Sequence, residues 1–152
     1  MVIGSILVVC HANLCRSPLA ETLLRHALPR VQVRSAGTHA RIGAHAAPLA
    51  CDVARARGLD LSAHRARALT LGVCAWADLI LVMETTQRRH IEARYPLVRG
   101  RVFNFAAPGA DPPNIADPYG GLPETFAACL DRLECAAAYW RDRIEASAAR
   151  TS

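Results

Sequence analysis

Apolar and polar positions along this chain fall into two kinds of block. One kind is the short unbroken apolar run, as in Gly4-Ser-Ile-Leu-Val-Val-Cys10 and Asp78-Leu-Ile-Leu-Val-Met83. A β-branched run of that length reads as a strand buried on both faces. Val31 to Ser35 alternates as a second strand, ended by Gly37, and Val102-Phe103 is a weaker fourth. The other kind carries helical spacing. Leu19, Thr22, Leu23 and His26 predict a helix from about 18 to 28, with Pro18 tolerated in its first turn. Residues 46 to 57 read as a helix closed by Gly58. Residues 85 to 94 read as another, ended by Tyr95-Pro96, and a last helix is expected over 123 to 147. Before it, residues 106 to 123 hold Pro and Gly in abundance and read as a long loop.

Strand and helix therefore alternate four times. That order predicts an α/β fold: a four-stranded parallel sheet flanked by helices on both faces, joined by right-handed crossovers. No repeat, linker or composition break divides residues 1–152, so one domain is expected. In such sheets ligands bind beyond the carboxyl ends of the strands. The loop over residues 10 to 17 and the long loop after strand four should open on that same edge.

Composition narrows the chemistry. Hydrophobic residues make up 52% and charged residues 20% of 152 positions, which suits a packed globular core. The net charge of +5 suits an anionic ligand, though net charge speaks to association rather than fold. All 18 basic residues are arginines. Codon bias is the simplest source of that skew, but it still excludes a Schiff-base lysine or a Walker-type nucleotide loop. Six cysteines, at 10, 15, 51, 74, 129 and 135, match no zinc spacing. They read as mostly buried thiols in a reducing cytoplasm. Ile3 to Val9 is apolar but short, without a basic stretch before it, and so reads as a first strand rather than a signal peptide. No run approaches the ~20 apolar residues of a membrane span. Neither membrane insertion nor a nucleic-acid partner is expected.

The residues Cys10-His11-Ala12-Asn13-Leu14-Cys15-Arg16-Ser17 lie between the first strand and the first helix. A cysteine and an arginine six apart, so framed, predict a phosphate cradle. Successive backbone N–H groups of the loop can form a nest for an anion, and the helix adds the positive end of its dipole. Arg16 offers two parallel donors to two phosphate oxygens. The field that holds phosphate should also favour a Cys10 thiolate, and Ser17 can donate a hydrogen bond to that sulfur. Asn13 tolerates the left-handed backbone that a tight loop requires. The bland alternative is a core thiol at a strand end with a solvated arginine, which leaves Asn13, Ser17 and Pro18 without a role.

Expelling a phenolate needs a proton donor. The long loop offers Asp111-Pro112 and Asp117-Pro118-Tyr119. Asp117 is the favoured acid, because Tyr119 beside it supplies an aromatic wall for a phenol ring. Asp111 reads as a turn former.

With those residues placed, the chain resembles the low-molecular-weight protein tyrosine phosphatases from Ile6 to about Trp140. The likeness rests on Val8-Val-Cys10, Asn13, Cys15-Arg-Ser-Pro18, Ser35-Ala-Gly37, His64, Asp78-Leu-Ile-Leu-Val-Met-Glu84 and Asp117-Pro-Tyr119. Arg88-Arg-His-Ile91, Val98-Arg-Gly-Arg101 and Glu124-Thr-Phe126 resemble the bacterial subgroup associated with capsule and exopolysaccharide export. The resemblance implies a phosphotyrosine protein phosphatase I-like fold and no cofactor or metal. It implies Cys10 as nucleophile, Arg16 as phosphate binder and Asp117 as general acid. His11, Ala12, Asn13, Leu14, Cys15, Ser17 and Tyr119 would contact substrate, phosphate or another oxyanion. Asn13, Ser17, Ser35 and His64 match a network that shapes the loop. Cys15 matches a cysteine that can pair reversibly with the nucleophile, or is simply a packed thiol. The implied partner is a phosphotyrosine protein, in this subgroup a membrane tyrosine autokinase.

Two positions depart from the family pattern. Ala12 stands where glycine is usual, so the backbone there must suit an alanine. His11 stands where an aliphatic residue is common; with His39 it lines the mouth for an anionic peptide or is merely exposed. Leu14 is aliphatic, as in tyrosine phosphatases, where related arginine phosphatases resemble threonine. Three rival readings follow from the same residues. An arsenate reductase would need two further cysteines close together near mid-chain, where Cys74 stands alone; Cys129 and Cys135 read as core. A non-hydrolysing phosphotyrosine binder would not need Cys10, Arg16 and Asp117 together. A zinc site built from His39, His45, His64 and nearby cysteines lacks any recognised ligand spacing.

Overall fold

Ser5–Cys10 forms β1, and all six residues are buried. The computed structural model describes residues 2 to 151. The elements run β1, α1 (Arg16–Ala27), β2 (Gln32–Gly37), α2 (Pro48–Ala56), α3 (Leu71–Trp76), β3 (Leu79–Val82), α4 (Thr85–Arg94), β4 (Val102–Asn104) and α5 (Pro123–Thr151), with one 3-10 turn at Pro96–Val98. The strands are all parallel in the order β2-β1-β3-β4. The expected α/β class and four-stranded sheet are therefore what the chain adopts.

Side-chain alternation along β1 divides the core in two. Ile6, Val8 and Cys10 face a cluster completed by Leu19 and Leu24 of α1, Ala50 and Ala54 of α2, and Leu130, Leu133 and Trp140 of α5. Leu7 and Val9 face the other side, with Cys74 of α3 and Ile91 of α4. A strand covered on both faces leaves little room for polar side chains, which is why residues 6 to 10 and β3 are unbroken apolar runs, while Ser5 at the start of β1 donates its hydroxyl to the Trp76 carbonyl. The Trp140 indole satisfies its one polar atom by donating to the Phe105 carbonyl at 2.8 Å.

Register aligns the strand ends. Cys10 lies opposite Gly37, Val9 opposite Val82, and Val82 opposite Asn104. The chain leaves β1 to one side to make β2 and later returns on the other side as β3. The edge beyond Cys10 is therefore the point where strand order reverses, the usual place for a ligand crevice.

Three expectations need correction. A fifth helix, α3, occupies residues read as connection. Helix α1 begins two residues earlier than Pro18, because a proline in the first turn lacks only an amide that would have no helical partner anyway. Cys135 is exposed rather than core. It lies six residues, about 240° around the helix, from buried Cys129, and so leaves the packed face.

Candidate active site

Beyond β1 the chain turns sharply. Asn13 takes the left-handed conformation, φ 60°, while Ala12 does not, so an alanine fits where the family pattern has glycine. Five of the loop's carbonyls are engaged away from the anion site. Those of Cys10 and His11 accept from Thr38 and His39, that of Leu14 from Ala47, and that of Cys15 from Leu19. That of Asn13 accepts from His64 Nε2 at 2.7 Å. Among the described residues, no amide from 11 to 15 donates to a backbone carbonyl. With those carbonyls engaged elsewhere, the loop keeps a set of free N–H groups for an anion.

Gly37 makes this wrap possible. A Cβ there would stand 2.7 Å from the His11 carbonyl oxygen and 2.9 Å from the Asn13 amide nitrogen. Only hydrogen fits between β2 and the loop.

Side chains then fix the loop from below. Asn13 Nδ2 donates to Ser17 Oγ at 2.7 Å and to Ser35 Oγ at 3.0 Å, while its Oδ1 accepts from the Arg67 amide at 3.0 Å. Ser35 Oγ donates in turn to Glu21. Ser17 Oγ lies 2.9 Å from Cys10 Sγ. Since the Ser17 oxygen already accepts from Asn13, its hydrogen is left to point at the sulfur. Burial pushes the His64 ring below its ordinary range, against a smaller upward pull from the Asn13 carbonyl. A neutral ring whose Nε2 meets a carbonyl must carry its hydrogen on Nε2.

Arg16 is 2% exposed. Its Nη1 donates to Glu84 Oε1 and to the Ile115 carbonyl, both at 2.8 Å. Its Nη2 lies 3.6 Å from Asp117 Oδ2, and its buried Nε has no partner. The Nε/Nη2 edge, the fork that can grip two oxygens at once, is thus the edge left open. Glu84 and Ile115 hold the guanidinium in place. Neither they nor Glu21 figures among the residues singled out from sequence for the site, though Glu84 sits at the end of β3 where ligand loops begin.

Asp117 comes from the long loop. Its Oδ1 accepts from the Tyr119 amide at 3.1 Å. That loop is pinned where the Ile115 amide donates to Met83 and where Arg132 donates to the Pro112 and Asn114 carbonyls. Cys10, His11, Ala12, Leu14, Cys15, Arg16, His39, Arg41, Asp117 and Tyr119 line one cleft of about 270 Å3. Asp111 lies elsewhere, beside Asp131, Arg132 and Cys135. Asn13, Ser17, Ser35 and His64 stand behind the cleft rather than on its surface.

The low molecular weight phosphotyrosine protein phosphatase family matches residues 5–150. The chain belongs to that family. It is 42% identical over 144 residues to the probable low molecular weight protein-tyrosine-phosphatase EpsP of Ralstonia nicotianae, spanning 95% of this chain and 98% of that protein. The tyrosine phosphatase Wzb of Escherichia coli K30, solved in complex with sulphate, superposes with a TM-score of 0.90 at 36% identity, covering 94% of this chain and 99% of that one. The YwlE arginine phosphatase of Geobacillus stearothermophilus superposes with a TM-score of 0.91 at 31% identity, covering 98% and 97%.

The remaining thiols of the phosphatase differ sharply in setting. Burial pushes the Cys15 thiol up to about 12, with Asp117 and Cys10 adding to the effect. Burial likewise pushes Cys129 up to about 12, against a pull from Arg16. Cys10 and Cys15 are both free thiols. Cys74 packs on the sheet face opposite Cys10, so the sheet itself separates the two sulfurs. Among the described residues no three His, Cys, Asp or Glu side chains gather as metal ligands, and no helix is long and apolar enough to cross a membrane.

Proposed function

We propose that this phosphatase removes phosphate from protein phosphotyrosine through a covalent phosphocysteine on Cys10, with Asp117 as general acid and then general base. One observation carries the reading. A sulfur bonded to the Ser17 hydroxyl sits in the same cleft as a loop of unpartnered amides and the open edge of Arg16.

Phosphate oxygens bind the loop amides and the Arg16 Nε/Nη2 edge. The Cys10 thiolate attacks phosphorus in line. As the S–P bond forms, the bond from phosphorus to the tyrosine oxygen breaks, and the Asp117 proton passes to that oxygen. A water then attacks phosphorus, gives a proton to Asp117, and the S–P bond breaks. The sulfur leaves as a thiolate stabilised by Ser17, and inorganic phosphate departs. Charge on the equatorial oxygens is held throughout by groups already in position, so little reorganisation is needed.

Tyr119 and Leu14 form the walls that receive the phenol ring. Leu14 is 5% exposed and lines the cleft with a purely apolar surface, which favours an aryl group over a guanidinium. The protein partner we propose is a membrane tyrosine autokinase of exopolysaccharide export, met in the cytoplasm. The likeness of the chain to EpsP and Wzb supports that choice.

The test is turnover of phosphotyrosine, phosphoserine and phosphoarginine by the wild type and by Cys10→Ser. Phosphotyrosine should be cleaved by the wild type alone, while Cys10→Ser still binds inorganic phosphate. Preference for phosphoarginine, or turnover by Cys10→Ser, would overturn the reading.

A further inference from the structure

The cleft lining is richer in basic than in acidic side chains. Among the described residues, Asp117 is the one carboxylate on its lining, and it is already drawn to Arg16. The same lining carries His11, His39 and Arg41, all exposed. Arg41 forms no salt bridge with any carboxylate among the described residues; its guanidinium lies 5.7 Å from the centre of the Tyr119 ring. The His11 and His39 rings stack at 4.5 Å, inclined by 20°. Among the described residues, neither imidazole forms an ion pair with a carboxylate. The His39 Nδ1 pairs with Thr38 Oγ1 at 3.1 Å, which leaves its Nε2 open.

This part of the lining is held firmly. The His39 amide donates to the His11 carbonyl at 2.8 Å, so the two imidazoles are tied through the backbone as well as by stacking. The segment after Arg41 is bonded both ways to Ala66, by Gly43 donating to its carbonyl and by the Ala66 amide donating to Ala44. One permanent cation and two imidazoles, each carrying an N–H in either tautomer, therefore face solvent with no anion among the described residues paired to them.

We propose that His11, His39 and Arg41 form a second anion subsite that selects phosphotyrosine segments carrying an anionic side chain next to the phosphotyrosine. The proposal rests on the phosphotyrosine reading above and names the class of segment that reading leaves open. With the phosphate seated against the loop and the ring against Tyr119, the flanking residues must leave the cleft across its rim. A carboxylate or a phosphate there meets the guanidinium. Because the site is solvated, its contribution is that of an exposed ion pair with added donors, roughly threefold to tenfold in kcat/KM.

Three phosphotyrosine peptides that differ only at the flanking residue make the test: glutamine, glutamate and phosphoserine. The wild type should prefer both anionic peptides to the glutamine peptide by about threefold to tenfold, and the preference should shrink as salt rises towards about 0.5 M. In Arg41→Gln the ratio should fall close to one, and in Arg41→Glu it should invert. A preference confined to phosphoserine would restrict the subsite to phosphate and still support it. Equal kcat/KM for all three peptides in the wild type, or an unchanged ratio in Arg41→Gln, would overturn it. Failure to hydrolyse any of the three would instead overturn the phosphotyrosine reading, and the subsite with it.

Discussion

Asn13 Nδ2 donates to Ser17 Oγ at 2.7 Å, and that one bond decides where the Ser17 hydrogen goes. The serine oxygen, accepting from the amide, presents its hydrogen to Cys10 Sγ 2.9 Å away. A left-handed residue in the loop thus orients the group that stabilises the sulfur.

If that relay operates, Ser17→Ala should slow turnover of an aryl phosphate by about 10- to 100-fold, the worth of one hydrogen bond to a charged atom. Asn13→Ala should cost at least as much, since it also releases Ser35 and Arg67. The double variant should lose little beyond the Asn13→Ala value, because both changes remove the same bond to sulfur. Fully additive losses in steady-state kinetics would show that the two residues act separately.

Gly37 offers a test that touches no reacting group. Its missing Cβ is what lets the loop backbone approach β2, and the atoms in the way are themselves backbone. Gly37→Ala should displace the loop, costing about 1–3 kcal/mol of stability as an overpacked site does and lowering kcat at least about tenfold. Gly58→Ala is the comparison. Gly58 has φ +77° with nothing near its side-chain position, so it should lose about 1 kcal/mol of stability with kcat unchanged. Equal kcat in the two variants would refute the close-approach argument.

These residues also show what a sequence makes legible. β1 and β3 could be read because burial on both faces leaves unbroken apolar runs, and α4 because Tyr95-Pro96 ends it. Helix α3 could not, because six residues with a glycine among them span less than two turns and show no period. Cys10, Arg16 and Ser17 are close in sequence and carry their own pattern. Glu84, Ile115 and Arg132 act on the site from 68 to 99 residues away or through backbone carbonyls, and no local spacing encodes such contacts. Ile115 contributes only its main chain, so its side chain carries no signal of the role.

Alkaline stability follows from the buried thiols. Burial pushes Cys74 from the ordinary 9.0 up to about 11. Its folded pKa is raised, so its contribution is full below pH 9 and is lost as pH rises towards about 11. In that window the unfolded chain sheds a proton that the folded chain keeps, and stability falls by about 1.4 kcal/mol per pH unit. Cys15 and Cys129, raised to about 12, act with the same sign to higher pH. The chain has no lysine to obscure this titration. Urea unfolding between pH 8 and 11 should show Cys74→Ala less stable at pH 8 but with a shallower decline, by about one proton. Parallel declines would remove the assignment.

Proton donation by Asp117 has a signature that separates it from binding. Asp117→Ala should slow phenyl phosphate by about 10²- to 10⁴-fold and a dinitrophenyl ester far less, since the better leaving group needs no proton. Arg132 should show the same signature in weaker form. It never reaches the cleft, yet it donates to the Pro112 and Asn114 carbonyls of the loop that carries Asp117. Arg132→Met should therefore let the carboxyl group wander, cutting phenyl phosphate turnover by about tenfold and leaving the dinitrophenyl ester nearly untouched. Asp111→Ala, in its separate hollow beside Arg132, should leave the dependence on leaving group as in the wild type. A uniform loss across leaving groups in Arg132→Met would make that arginine a stabiliser of the fold alone. Retention of the steep dependence in Asp117→Ala would move the proton to another group.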